Sequence, residues 1–367
     1  MKPIKILSLL GVVFTTSCCY TQPKEGKPYG YLDKEWKEVA VQMPNEWYGT
    51  IAAKQAADSV LKYQTKIGGW PKNTNFHSGP DQEDMDKVKS SGIGATFDNG
   101  ATITELGFLA KMYSNFTDER YKKAFEKGLN YIFVSQYKNG GWPQFFPVRK
   151  GSVAYSGHIT YNDDAMVNTM NFLHKIISGD KAFASLKLEK DIEEKADKAY
   201  KKGVECILDT QIIINGKPTV WCAQHDAITL APANARSYEL ASFSGSESVG
   251  IVLLLMEIEN PSKEIIASIK GAVDWFENHK VKGLKIETEI DQDGNENRIV
   301  VKDKNAPILW ARFYDLETEE PFFCDRDGIK KSSLADIGYN RRNGYSWYTQ
   351  NPAKIVTKYQ EWSVNYQ

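Results

Sequence analysis

Two adjacent carboxylates, Asp163 and Asp164, are the most informative residues in this chain. Neighbouring negative charges repel and a helix cap uses only one of them, so the pair points to a hard cation such as calcium, which takes carboxylate oxygens. They stand in the string TYNDDAM, and related strings lie on either side of it. TFDNGAT carries Asp98 and Asn99, and SFSGSES carries Ser244, Ser246 and Glu247. Each string sets a hydroxyl and an aromatic residue before a short polar loop that opens a helix-length apolar stretch. Loops so placed put polar side chains and free backbone N–H groups at helix N-termini, where anions are favoured. For any single residue the competing explanation is structural capping.

Cationic side chains form a second set. Arg236 lies with His225 and Asp226 in WCAQHDAITLAPANARSYE, Arg312 follows Trp310, Arg326 sits in CDRDG, and Arg341 and Arg342 precede GYSWY. Arginine grips carboxylates through a two-pronged fork, so arginines among aromatics suggest a local groove for an acidic ligand. Arg341 or Arg342 reads as ordinary surface ion pairing. His225 is a candidate general base, although a lone histidine is more often structural. The formal net charge is −1, so the overall field draws the chain neither to nucleic acid nor to an anionic membrane. The 9 Trp and 19 Tyr offer flat faces that suit sugar rings, and for any single one of them a place in the core or an interface competes equally.

These residues need a frame that brings distant loops together, and the frame shows as a repeat. Gln64 to Pro71 (QTKIGGWP) and Gln136 to Pro143 (QYKNGGWP) share the pattern Q-x-x-x-G-G-W-P. An amphipathic stretch precedes each copy, and a polar loop and second helical stretch follow; Ile103, Leu106, Leu109, Ala110 and Tyr113 fall at helical spacing. One helical hairpin cannot bury its apolar stripe alone, so the units must stack or close into a ring. The expected fold is all-α, an α/α toroid of repeated hairpins over residues 46–367. Later copies read as degenerate: one keeps Pro218, Trp221 and Gln224, another only Trp275. Alternation around Asp293-Gly294 predicts a β-hairpin excursion. The string DQDGNE there has its glycine out of register for a calcium loop and reads as a turn.

The first residues read as a leader. Lys2 and Lys5 precede an apolar run from Ile6 to Phe14, which predicts a signal peptide over 1–19, with Cys18 a candidate lipid anchor, and a tether or strap over 20–45. The expected location is periplasmic, extracellular or lipid-anchored at the cell surface. Past the leader, no stretch reaches the roughly 18 to 20 apolar residues needed to span a bilayer. Cys206, Cys222 and Cys324 remain: one disulfide, Cys206 to Cys222, and three buried thiols are equally compatible with the sequence.

In order along residues 46–349, the strings GGWPKN, TFDNGAT, NGGWPQ, HITYNDDAM, WCAQHD, ARSYE, WARFY and CDRDG resemble pectate lyases of polysaccharide lyase family ten. The resemblance implies an α/α toroid that needs calcium and cleaves polygalacturonate by β-elimination. By position within those motifs, it implies Asp98, Asp163 and Asp164 as metal-binding, Asn99, Arg312 and Arg326 as substrate-binding, and Arg236 as the catalytic base. It implies no partner protein, and a monomer is expected. Arginine is a base only if its charged form is disfavoured, for which nearby cations and burial would serve. Two other readings compete. One is a glycoside hydrolase on the same ring, pairing Asp98 or Asp164 with Asp226; the other is a non-catalytic surface-anchored binder of acidic glycans.

Overall fold

The computed structural model describes residues 30–79, 82, 83, 85, 86 and 94–366. The expected leader, Cys18 and residues 20–29 of the strap lie outside that set. The described part of the strap contains helix α1 (Trp36–Gln42), whose Trp36, Val39 and Ala40 join the main core.

Two layers of helices build an α/α toroid. The outer layer is α2 (Ile51–Tyr63), then α4 (Glu119–Ser135), α6 (Lys190–Thr210) and α8 (Lys263–Asn278), each packed on the next. Inside run α3 (Ile103–Phe116), α5 (Ala165–Ile177), α7 (Glu247–Met256) and, past the short α9 (Tyr339–Asn343), the closing helix α10 (Ala353–Ser363). Composition sorts the layers. Helix α7, ESVGIVLLLM, is apolar nearly all round and is buried on most sides, whereas α6 buries one narrow stripe through Ala196, Ala199, Gly203, Cys206 and Ile207.

The repeated string has a mechanical meaning. Gln64 Nε2 donates to Gly68 O at 2.7 Å and to Ala124 O of α4 at 2.8 Å, and Gln136 Nε2 donates to Gly140 O and Ala199 O of α6 at 2.9 and 2.8 Å. Each glutamine thus fastens its own turn to the next outer helix. The turn sits so close that a Cβ on Gly68 or Gly140, both at positive φ, would collide with the carbonyl of Lys127 or Lys202. Each tryptophan then donates its indole N–H back to the preceding outer helix, Trp70 to Val60 O at 2.7 Å and Trp142 to Ile132 O at 2.9 Å.

The third and fourth copies keep this scheme with other residues. In the third, Gln211 takes the glutamine's place, bonding Thr219 O and Ser268 O at 2.7 and 3.0 Å, and Trp221 donates to Ile207 O at 2.7 Å. The glycine that permits close approach has moved onto the helix: a Cβ on Gly271 would strike Pro218 O. In the fourth, Trp310 and not Trp275 donates to the outer helix, at Phe276 O, 2.8 Å; among the described residues the Trp275 indole N–H has no partner. Between them lies the expected hairpin, Leu284–Ile290 against Glu296–Lys302. Asp291 closes its turn by accepting from the backbone of Asp293 and Asn295. The three cysteines are free and buried.

Candidate active site

The polar turns meet on one rim. Short antiparallel pairings tie each to the loop of the following repeat: Thr96 to Phe145, Ile159–Thr160 to Gln224–His225, and Phe243–Ser244 to Phe313–Tyr314. The turn Asp98–Gly100 packs on Asn162–Asp164, which packs on α7. Asn99, Asp163 and Asp164 all adopt left-handed backbone, with φ of 54°, 51° and 57°. Asparagine and aspartate tolerate that region better than other non-glycine residues, one local reason for these letters. Capping does not explain Asp164: it stands at the N-cap of α5, yet its side chain accepts no backbone hydrogen bond there. Outer helices α2, α4 and α8, by contrast, have side-chain caps from Thr50, Asp118 and Ser262.

Asp163 and Asp164 face a cavity of about 260 Å³ together with Ser246, Glu247, Arg312 and Lys354. A second, of about 420 Å³, shares Asp163 and Arg312 and adds Arg298 and Tyr345. Arg312, 8% exposed, is the post between them. It pairs with Glu247, donates to Asn162 Oδ1 at 3.2 Å, and lies 3.6 Å from Asp163. Burial alone would lower its pKa, but Glu247, Asp163 and Glu239 outweigh that and hold it above the usual arginine value. Asp164 opens to the groove while protein crowds its other sides. That desolvation, reinforced by the charges of Glu247 and Asp163, pushes its carboxyl up to about 6. A cation would relieve the strain.

Asp98 is buried and ion-paired to Lys72, its Oδ1 without a partner among the described residues, and Asn99 donates to Asn73 Oδ1 at 3.0 Å. Among the described residues no group of three or more His, Cys, Asp or Glu side chains is arranged to hold a metal ion. The structure therefore brings Asp163 and Asp164 together on one groove and turns Asp98 toward a lysine.

Arg236 belongs to a second wall, a small aromatic cluster of Tyr238, Phe313, Phe322, Phe323 and Trp347. It stacks 4.8 Å from the Tyr238 ring and forks onto Glu239, Nε to Oε2 at 2.7 Å with a terminal nitrogen on Oε1. Glu239 also accepts from Tyr345 Oη at 2.9 Å, and the Tyr345 ring lies 4.6 Å from the Arg312 guanidinium. The paired carboxylate, more than any other influence, raises Arg236 above its ordinary value. That is the reverse of the cationic, burying surroundings expected for it in the sequence. Arg326 is exposed and its side chain makes no hydrogen bond or ion pair among the described residues. Its loop adjoins the Arg236 segment, since Cys324 Sγ lies 3.8 Å from Ser237 O.

Several candidates resolve into structural roles. His225 is fully buried; Nε2 accepts from the Cys222 N–H at 3.0 Å, so Nδ1 carries the proton to Leu230 O at 2.9 Å, and burial pushes its pKa down to about 4. With both nitrogens engaged it is no general base. Asp226 caps its own turn through the N–H groups of Ile228 and Thr229, which hold its pKa low and unsuit it to be a hydrolase's acid. Arg341 and Arg342 are not surface ion pairs. Arg341 stacks 4.2 Å from Tyr238, and Arg342 bonds Asn297 Oδ1 and Ile337 O. The sequence reading missed Glu239, Tyr345 and Lys72. Glu239 had a local signal, an arginine and a glutamate three residues apart; the others are brought in only by the fold.

The architecture is shared with solved structures. A family 10 polysaccharide lyase from Cellvibrio cellulosa superimposes with a TM-score of 0.72 at 34% identity, covering 87% of this chain and 96% of that one. An aspartate-to-alanine mutant of the same enzyme, in complex with trigalacturonic acid, matches equally and is covered to 97%. A comparison with curated proteins finds no match. The fold is thus that of a polysaccharide lyase. The family model for pectic acid lyase matches residues 64–356, and the chain belongs to that family.

Proposed function

We propose that this protein is a calcium-dependent pectate lyase that cleaves polygalacturonate by β-elimination, releasing 4,5-unsaturated oligogalacturonides, with Arg236 as the base. The observation that carries the reading is a chain of contacts, Arg236–Glu239–Tyr345–Arg312–Asp163, which links the arginine to the groove of the paired aspartates.

The donor chemistry fits a hard cation. Among the described residues no hydrogen bond reaches the Asp164 side chain, which burial destabilises as an anion, Asp163 is its neighbour, and one Asp98 oxygen has no partner. Asp163 and Asp164 would hold calcium, with Asp98 the third carboxylate of the rim. When bound, the ion supplies charge neutralisation to a uronate carboxylate, making the adjacent C5 proton more acidic. Arg312, fixed by Glu247 and Asn162, orients the acidic sugar, and Asn99 and Arg326 extend the binding surface. Arg236 takes the C5 proton as the C4–O4 bond breaks and the C4–C5 double bond forms, and the departing oxygen takes a proton from water. In the free protein Glu239 keeps Arg236 charged, so substrate must loosen that pair and the guanidinium must release a proton to solvent hydroxide before it can take the one on C5. An alkaline optimum follows. The leader pattern from Lys2 to Phe14 supports export from the cytoplasm; no described helix is long and apolar enough to cross a membrane.

The test is ultraviolet absorbance of unsaturated product from polygalacturonate, with and without a chelator, for the wild type and Arg236→Ala. Turnover should require the metal and collapse in the variant, while trigalacturonic acid binding survives. Full turnover in chelator, or an active Arg236→Ala, refutes the assignment; saturated products would favour a hydrolase.

A further inference from the structure

The strap segment lies ahead of the family match, which begins at residue 64, yet it reaches the rim. We propose that Lys37, on α1, is a substrate-binding residue that holds a uronate carboxylate at the edge of the groove.

Its platform is fixed. The preceding Trp36 is buried, its ring edge-on to Phe76 and Phe108 at 5.0 and 4.9 Å, and its indole N–H donates to Glu105 at 2.7 Å. Val39 and Ala40 pin the same face of the helix. Lys37 therefore points outward from an anchored turn. Its Nζ lies 3.8 Å from where a Cβ on Gly100 would stand, so the ammonium covers the last residue of the Asp98–Gly100 turn.

The neighbouring lysines are committed elsewhere. Lys34 pairs with Glu38, Lys72 with Asp98, and Lys111 donates to Ala40 O, Val41 O and Tyr48. Lys37 is exposed and makes no hydrogen bond or ion pair among the described residues. Asp98, the buried acid of that turn, already has its cation in Lys72. An ammonium held beside a carboxylate-lined groove and left unpaired suits an incoming anion, and a polyuronate presents a carboxylate on each sugar. Arg312 and Arg236 serve the groove from the far repeats; Lys37 would grip the chain from the first turn of the rim.

The inference rests on the groove being an oligogalacturonate site. Its test is calorimetric titration of trigalacturonic acid and initial rates on polygalacturonate, with calcium present, for the wild type, Lys37→Ala, Lys37→Arg and Lys34→Ala. Lys37→Ala should weaken binding and raise KM about three- to ten-fold, as for a partly exposed charge-assisted contact, with kcat within about twofold. Lys37→Arg should recover most of the loss and Lys34→Ala should show none. The gap should narrow in about 0.5 M salt, which screens exposed charges. Unchanged binding by Lys37→Ala overturns the proposal while leaving the groove assignment intact. A fall in kcat at constant KM overturns it as well, since that marks a structural role. Failure of the wild type to bind trigalacturonic acid overturns both.

Discussion

Glu105 is a carboxylate at 2% exposure in the first turn of α3, far from the paired aspartates in role, and its ionisation should weaken the fold. Burial pushes its pKa from 4.5 up to about 7, against the smaller opposing effects of the Trp36 indole and of the Glu105 and Thr102 backbone N–H groups. The folded carboxyl therefore keeps its proton until about pH 7, while the unfolded one releases it near 4.5. Stability on this account is greatest below the unfolded value, falls as pH rises through the folded value, and is level above it. At about 1.4 kcal/mol per pH unit across that interval, the cost at pH 8 is about 3 kcal/mol. Glu105→Gln keeps an acceptor for Trp36 and removes the charge. It forfeits a helix-dipole benefit of about 0.3–1 kcal/mol, so burial wins and the variant should be about 2 kcal/mol more stable at pH 8. At pH 4 the two proteins should unfold together. Urea denaturation followed by far-ultraviolet circular dichroism at both pH values measures the difference. A Glu105→Gln protein that is weaker at pH 8, or strengthened equally at both, refutes the assignment of a buried, strained charge. Activity should persist, because Trp36 still anchors the helix that presents Lys37.

Two further perturbations probe the frame and the post of the groove. Arg312→Ala leaves Glu247, 3% exposed at its side chain, as an uncompensated buried charge, and should cost about 3–5 kcal/mol in urea unfolding. Adding Glu247→Gln should recover much of that loss, whereas simple additivity of the two changes would show that they are not one buried unit. Gly140→Ala combines a φ of 92° with a collision against the Lys202 carbonyl and should cost at least about 3 kcal/mol. Gly179→Ala, at φ 67° with open space around it, should cost only about 1 kcal/mol; equal thermal shifts for the two would refute the close-approach account of the repeat.

The residues legible in the sequence are those that local geometry demands by type. Gln64, Gly68 and Trp70 recur as Gln136, Gly140 and Trp142 because a turn pressed onto a helix needs a missing Cβ, a long amide that reaches two carbonyls, and an indole donor. Where the turn lengthens, the same physics survives in other letters: Gln211 with Gly271 on the opposing helix, and Trp310 after a whole hairpin. A spacing pattern cannot follow that substitution, since what is preserved is a hydrogen bond and a clearance. The site divides the same way. Asp163 and Asp164 are visible because adjacency itself is costly, but nothing near Arg312 announces Glu247 or Tyr345, which meet it only through ring closure. Lys37 is invisible for the same reason, being one charge on a short helix with no motif around it. The Arg236 environment fails differently. Its partner Glu239 is three residues away and in plain view, yet only the structure shows the two forked together and joined through Tyr345 to Arg312. Because that pair holds the guanidinium charged in the free protein, the proposed elimination requires the substrate to act on Arg236 before Arg236 can act on the substrate.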